Sequence, residues 1–202
     1  MPAPPVGLDI TATALHAVVL KKRGKKYSLI RHASMQLQPG LVVDGEVVDV
    51  AGLSVAIQQF WSQHGFKDKR VAVGIANQRC IVRPVTMSRI KNPKELRNTI
   101  GFEVLDHLPV PQENVVFDFH TVESFRDENG VERQRHVVVM SYRDSMERFR
   151  DAVLGAGLKL QRLDLAGFAL MRSSLRAIHA AADGVQEGVV APVSYTHLRA
   201  HE

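Results

Sequence analysis

The sequence predicts a mixed α/β fold in which a βββαβα unit is interrupted by a small α+β insertion. Three observations predict it. Three strand-like runs open the chain, Val6 to Ile10, Leu15 to Lys22 and Tyr27 to Leu37. A helical pattern followed by the short β-branched run RVAVGIA, Arg70 to Ala76, then implies a crossover back into the same sheet. After a stretch of different grammar, a helix, strand and helix resume at Asp144.

The first three runs read as an antiparallel meander, with Gly24 in the run KKRGKK (Lys21 to Lys26) marking a hairpin tip. Turn signals at Pro39, Gly40 and Gly45 precede a helix capped by Asp49, which places Val50, Leu53, Ile57, Phe60, Trp61 and His64 on one face before Gly65 ends it. The insertion begins with a strand, Cys80 to Met87. Its helix opens with Asn92 as cap, Pro93 at the first helical position and Glu95 completing a capping box. That helix is expected to run to His107, with Leu96, Ile100, Val104 and Leu108 on one stripe, and to stop at Pro109 and Pro111. Two strands follow, Val115 to Val122 and Gln134 to Tyr142, around a turn at Asp127 to Gly130.

On the return, Asp144 is expected to cap a helix with Glu147 three residues on, Met146, Phe149, Val153 and Leu154 on its apolar face, and Gly155 and Gly157 closing it. Leu158 to Leu163 reads as a strand and Ala166 to Ala182 as a helix carrying Phe168, Leu170, Leu175 and Ile178. The expected units are 1–76, 77–143 as the insertion, 144–182, and 183–202 as linker and tail. Pro192 to Glu202 has no apolar period, so the tail is read as extraneous to the fold. His197 and His201 share helical spacing there but lack a third metal ligand.

Composition bounds the function classes. With 45% hydrophobic and 23% charged residues among 202, the chain matches a globular protein with a sizeable core. It shows no bilayer-spanning run and no leader-like start, which makes cytoplasm the expected compartment. Cys80 is the one cysteine, so no internal disulfide forms and the thiol is read as a packing group. Net charge is +5, with its densest focus at Lys21 to Lys26. That run is read as a solvated turn; anionic lipid or nucleic acid are the sharper alternatives, and no aromatic residues interleave with the lysines as a single-strand binder would require.

The stretch VGLDITATALHAVVL, Val6 to Leu20, carries the chemical signal. A carboxylate, Asp9, near the end of a buried strand, followed by a turn bearing Thr11 and Thr13, suits a phosphate or a metal-bound phosphate. Thr11 and Ala12 stand where a phosphate loop favours glycine. His107, before the proline pair, is read as a histidine favoured by a helix C-terminus. No Ser/His/Asp or Cys/His constellation falls on adjacent elements.

Several segments in order carry a family resemblance: GLDI at 7–10, PGLVVDGEVVD at 39–49, RVAVGIA, CIVRPVTM, FEVLDHLPVPQENVVFDFHTV at 102–122, and AGLKLQRLDLAGFALMRS at 156–173. Together they resemble the PilM family of actin-like proteins of type IV pilus assembly and, more distantly, the FtsA cell-division family. The resemblance implies an actin-like (ribonuclease H-like) half carrying the insertion, with the second actin-like half missing from this chain. It implies ATP with Mg²⁺ for a full-length member, held loosely by half a cleft: Asp9 would reach the metal through water, Thr11 and Thr13 would face phosphate, and His16 stands where a basic residue is usual. It also implies a partner. The N-terminal cytoplasmic segment of a PilN-like inner-membrane protein is expected in a groove beside the insertion, with other pilus platform and motor proteins nearby. Arg83, Arg89, Lys94 and Arg97 are read either as a solvated face or as lining that groove. The protein is then expected at the cytoplasmic face of the inner membrane, touching the membrane only through its partner and binding no nucleic acid. Alternatives are an ATPase or kinase of the actin-like superfamily, an FtsA-like filament protein, or a basic nucleic-acid-binding module.

Overall fold

The structure is a computed structural model that describes residues 3–24, 26–105 and 111–181. The expected helix end at His107, Leu108, Pro109, Ala182 and the tail lie outside the described residues, as do the side chains of Leu175 and Ile178.

Five strands make the main sheet: β1 (Val6–Ile10), β2 (Ala14–Arg23), β3 (Lys26–Gln36), β6 (Arg70–Ile75) and β10 (Lys159–Leu165). Their spatial order is β10-β6-β1-β2-β3. The meander pairs antiparallel, whereas β6 pairs parallel with both β1 and β10. Strict alternation decides which face is buried. Val6, Leu8 and Ile10 of β1 and Val71, Val73 and Ile75 of β6 point to one side, where α1 (Val50–Gln63) and α3 (Arg143–Gly155) cover them with Leu53, Ile57, Phe60, Phe149 and Val153. Each large side chain so buried contributes about 2 kcal/mol.

Local signals explain the helix ends. The Asp49 carboxylate accepts the Gly52 N–H at 2.8 Å, a cap worth about 1 kcal/mol. Gly65, at φ +60°, lets the chain leave α1. α3 ends at Gly155 as expected, with Gly157 following at φ +76°, and Gly155 has a second role: a Cβ there would lie 2.6 Å from Ser54 Oγ, so it permits the close crossing of α1 and α3. Between β3 and α1 the chain forms a small hairpin not foreseen from the sequence, β4 (Val42–Val43) and β5 (Glu46–Val47). Asp44 and Gly45 turn it with positive φ, the Asp-Gly pattern of a tight hairpin. Gly45 also abuts the end of β6, where a Cβ would meet the Ala76 carbonyl at 2.2 Å.

The interrupting unit has its own sheet, β7 (Cys80–Ser88), β9 (Glu132–Tyr142) and β8 (Val115–Arg126), in the order β7-β9-β8 and antiparallel throughout. One face is covered by α2 (Pro93–Leu105), capped as predicted by Asn92, whose side chain accepts the Lys94 N–H at 2.9 Å. Ile100, Val104, Val115, Val138 and Met140 form a second core there. The unit joins the main body at Arg79. Its guanidinium lies 4.2 Å over the Tyr142 ring and pairs with Glu46 at 3.5 Å and Asp144 at 3.3 Å. Asp144 therefore does not cap α3. β9 runs directly into that helix, Tyr142 takes the cap position without a side-chain bond, and the Asp144 carboxylate turns to Arg79.

His136 sits fully buried near this second core, its Nδ1 3.1 Å from the Thr121 hydroxyl and its Nε2 without a partner among the described residues. Burial holds its imidazole below the ordinary value of 6.5. The unfolded chain thus takes up a proton that the folded chain resists, and stability falls as pH drops below 6.5 toward the lowered folded value. Thermal melts from neutral pH to about pH 5 should show a smaller acid-side loss for His136→Leu than for the natural chain; parallel curves would remove His136 as the cause.

Candidate functional site

The parallel strands β1, β6 and β10 end together, and in open α/β sheets ligands bind beyond such carboxyl ends. Register places Asp9 opposite Gly74 on one side and Asp164 opposite Gly74 on the other. Both acids are the penultimate residues of their strands and share the face turned away from α1 and α3. With strands spaced about 4.8 Å apart, the two backbones stand about 10 Å from each other. Gly74 keeps the gap open: its missing Cβ would touch Asp9 Oδ1 at 3.6 Å and the Ala166 methyl at 4.0 Å. Helix α4 (Ala166–Ala181) starts immediately after β10, and its Arg172 pairs with Asp164. Among the described residues no cluster of three or more metal-ligating side chains occurs.

In the turn after β1 the two threonines differ in their surroundings. The Thr11 hydroxyl donates to the Ala14 carbonyl and accepts the Ala14 N–H, both at 3.0 Å, so it is spent on closing the turn. No non-glycine residue of this turn has positive φ, so its backbone does not demand the glycine missing from the sequence. Thr13 is exposed at the turn's surface. His16 lies opposite Asp9 on β2 and its Nδ1 is 2.9 Å from the Ser34 hydroxyl. Burial raises the Asp9 carboxyl above its ordinary value of 3.8, and the nearby His16 partly offsets this.

Sequence reasoning missed Asp164. A signal was present: Leu-Asp-Leu-Ala at 163–166 matches Leu-Asp-Ile-Thr at 8–11, an acid one residue before a strand end in each case.

A second feature adjoins this edge. A cleft of about 760 Å³ separates the open face of the inserted sheet from β10 and α4. Val116 to His120 of β8 and Val137 and Val139 of β9 form one wall; Arg162 to Leu165, Phe168 and Arg172 form the other. Cys80 also lines it, its thiol 3.5 Å from the Ser141 hydroxyl and pushed up in pKa by burial. The four basic residues singled out in the sequence do not line this cleft. Arg83 is in register with Val138 and shares its α2 side of the sheet. Arg89 pairs with Glu132 at 3.1 Å, and Lys94 is exposed in the first turn of α2. Arg97 ties α2 to β8, donating to the Phe117 carbonyl at 3.0 Å with its guanidinium 4.7 Å over the Phe117 ring.

The raised Asp9 acid makes a stability prediction. An acid with a raised folded pKa favours folding when protonated, and that advantage is lost as pH rises from 3.8 through the folded value. Asp9→Asn should therefore melt higher than the natural chain at neutral pH, with the difference closing as pH falls below 3.8; an Asn variant that melts lower at neutral pH would contradict the assignment.

Comparison with known proteins places this architecture. Among solved structures, the PilM-PilN type IV pilus biogenesis complex matches with a TM-score of 0.76 at 26% identity, covering 88% of this chain and 51% of that one. The chain thus spans about half the length of the chain it matches there. The cytoplasmic domain of EpsL, an inner membrane component of the type II secretion system of Vibrio cholerae, matches with a TM-score of 0.49 at 16% identity, covering 78% of this chain and 55% of that one. The fold is the mixed α/β, actin-like arrangement of PilM. The family model for type IV pilus assembly protein PilM matches residues 7–199, and the chain belongs to that family.

Proposed function

We propose that this protein works in type IV pilus assembly by holding an extended peptide in the cleft between its inserted sheet and α4. The peptide is the N-terminal cytoplasmic segment of a PilN-like inner-membrane protein, the kind of partner named for the similar complex. One observation carries the reading: the cleft runs along five consecutive residues of β8, an edge strand, opposite Leu163 and Leu165 of β10 and Phe168 of α4. An edge strand offers main-chain pairing and the walls offer side-chain pockets, the two requirements of extended-peptide capture. Among the described residues no helix is long and apolar enough to cross a membrane. Such capture would hold the protein at the cytoplasmic face of the inner membrane, beside other platform and motor components.

The Asp9, Gly74 and Asp164 row supports a second role for the same fold, as one edge of an ATP and Mg²⁺ site. The residues fit: Gly74 leaves the gap in which a hydrated ion would lie, with Asp9 and Asp164 as its acceptors. When bound, Mg²⁺ neutralises phosphate charge. Thr11 shapes the turn, and Thr13 and His16 flank the edge. The role proposed for this row is binding.

Calorimetry with a synthetic peptide of the partner's N-terminal segment tests the cleft. Val139→Glu, which puts a charge on the open sheet face, should weaken binding at least about tenfold, while Arg83→Ala and Lys94→Ala leave it within about twofold. Unchanged affinity in Val139→Glu, or a larger loss from the two basic residues, would move the groove elsewhere.

A further inference from the structure

We propose that the outer half of the β2–β3 hairpin is a docking surface for an anionic lipid bilayer, independent of the peptide cleft. Charge is the first observation. Residues 14–36 hold six Lys and Arg and no Asp or Glu, and no acid occurs between Asp9 and Asp44. The rest of the chain then carries 20 Lys and Arg against 21 Asp and Glu, so the whole positive excess resides in this hairpin. Elsewhere several arginines are tied into ion pairs, among them Arg70, Arg79, Arg133 and Arg172. Among the described residues, Lys21, Lys22, Arg23 and Lys26 enter no ion pair.

Shape is the second. The hairpin's inner half belongs to the main core through Leu15, Ala17, Ala33 and Met35. Its register shifts just beyond, between Val19 and Leu20, with Ile30 as the extra residue, and such a bulge twists a hairpin away from its sheet. Past the bulge the strands extend about 13 Å. This projecting part exposes Tyr27 by 51%, Leu29 by 57% and Ile30 by 58%. Leu29 faces Leu20 across the strands, Tyr27 faces Lys22, and the Lys22 ammonium lies 5.8 Å from the Tyr27 ring centroid.

A cationic hairpin tip with a small aliphatic and aromatic flank behind it is what a bilayer interface accepts from a hairpin lying along its surface: ammonium groups meet anionic headgroups while Tyr27, Leu29 and Ile30 enter beside them. A nucleic acid would use the charges but not Leu29 and Ile30, and a single tyrosine is not a stacking platform. A second copy of this hairpin would bring like charge against like.

Flotation of the full chain with phosphatidylcholine vesicles, with and without phosphatidylglycerol, tests the assignment. The natural chain should float only with phosphatidylglycerol present and be released as salt rises. The triple variant Lys21→Gln, Lys22→Gln, Lys26→Gln should bind on the order of a hundredfold more weakly. Tyr27→Ser with Leu29→Ser should bind at least about tenfold more weakly and keep its salt dependence. Circular dichroism melts identify any variant that fails to fold, and the lipid and salt comparison of the natural chain stands without variants. Failure of the natural chain to bind, equal binding to both vesicles, undiminished binding by a folded triple variant, or tighter binding of single-stranded DNA at the same salt would each overturn the proposal. A failed peptide titration in the cleft would leave it untouched.

Discussion

The parallel pairing of β6 with β1 on one side and β10 on the other is the constraint on which the rest depends. It joins residues near 8, 73 and 163 of the chain into one sheet, and neither neighbour is adjacent to β6 in sequence. Parallel strands cannot be joined by tight turns, so each pairing demands a crossover. The first crossover uses α1. The second contains the entire inserted unit and α3, and only the return of β10 to β6 brings that long excursion back. β6 has the composition for a central strand: valines and isoleucine on the face that α1 and α3 bury, alanine and glycine on the face left open toward the ligand edge.

Most of the architecture was legible because its signals are local. Alternation in the opening runs, the Asp49 and Asn92 caps and the glycine after α1 each act within a few residues, and the structure keeps them. What escaped was set by partners far away in sequence. Asp144 resembled a cap until Arg79, 65 residues earlier, drew its carboxylate aside. Gly155 ends α3 as read, but its second role, leaving room for Ser54, depends on a residue far earlier in the chain. The Asp44-Gly45 hairpin was a local signal overlooked in favour of a plain loop.

The candidate site divided along the same line. Asp9 could be found from its own strand, but its partner acid could not be assigned until β10 was known to lie two strands away in matching register. The basic residues near the insertion were conspicuous in sequence, yet none of them lines the cleft: Arg83 lies on the α2 side of β7, Arg89 pairs with Glu132, and Arg97 is drawn to Phe117 and Asp118 of β8. Charge density along a chain does not say which face of a sheet receives it. The cleft walls are instead ordinary valines, leucines and a phenylalanine, indistinguishable in composition from core residues.

The passage from β9 into α3 has no intervening loop, with Tyr142 ending the strand and Arg143 beginning the helix. On the other side, the inserted unit is attached through the short irregular link between Ile75 and Cys80. The two attachments are secured by different means: one by continuous regular backbone, the other by the side chain of Arg79, held by Glu46, Asp144 and the Tyr142 ring. Because Tyr142 and Asp144 belong to the first attachment and Arg79 to the second, the two entry points of the inserted unit are fastened to each other as well as to the main body.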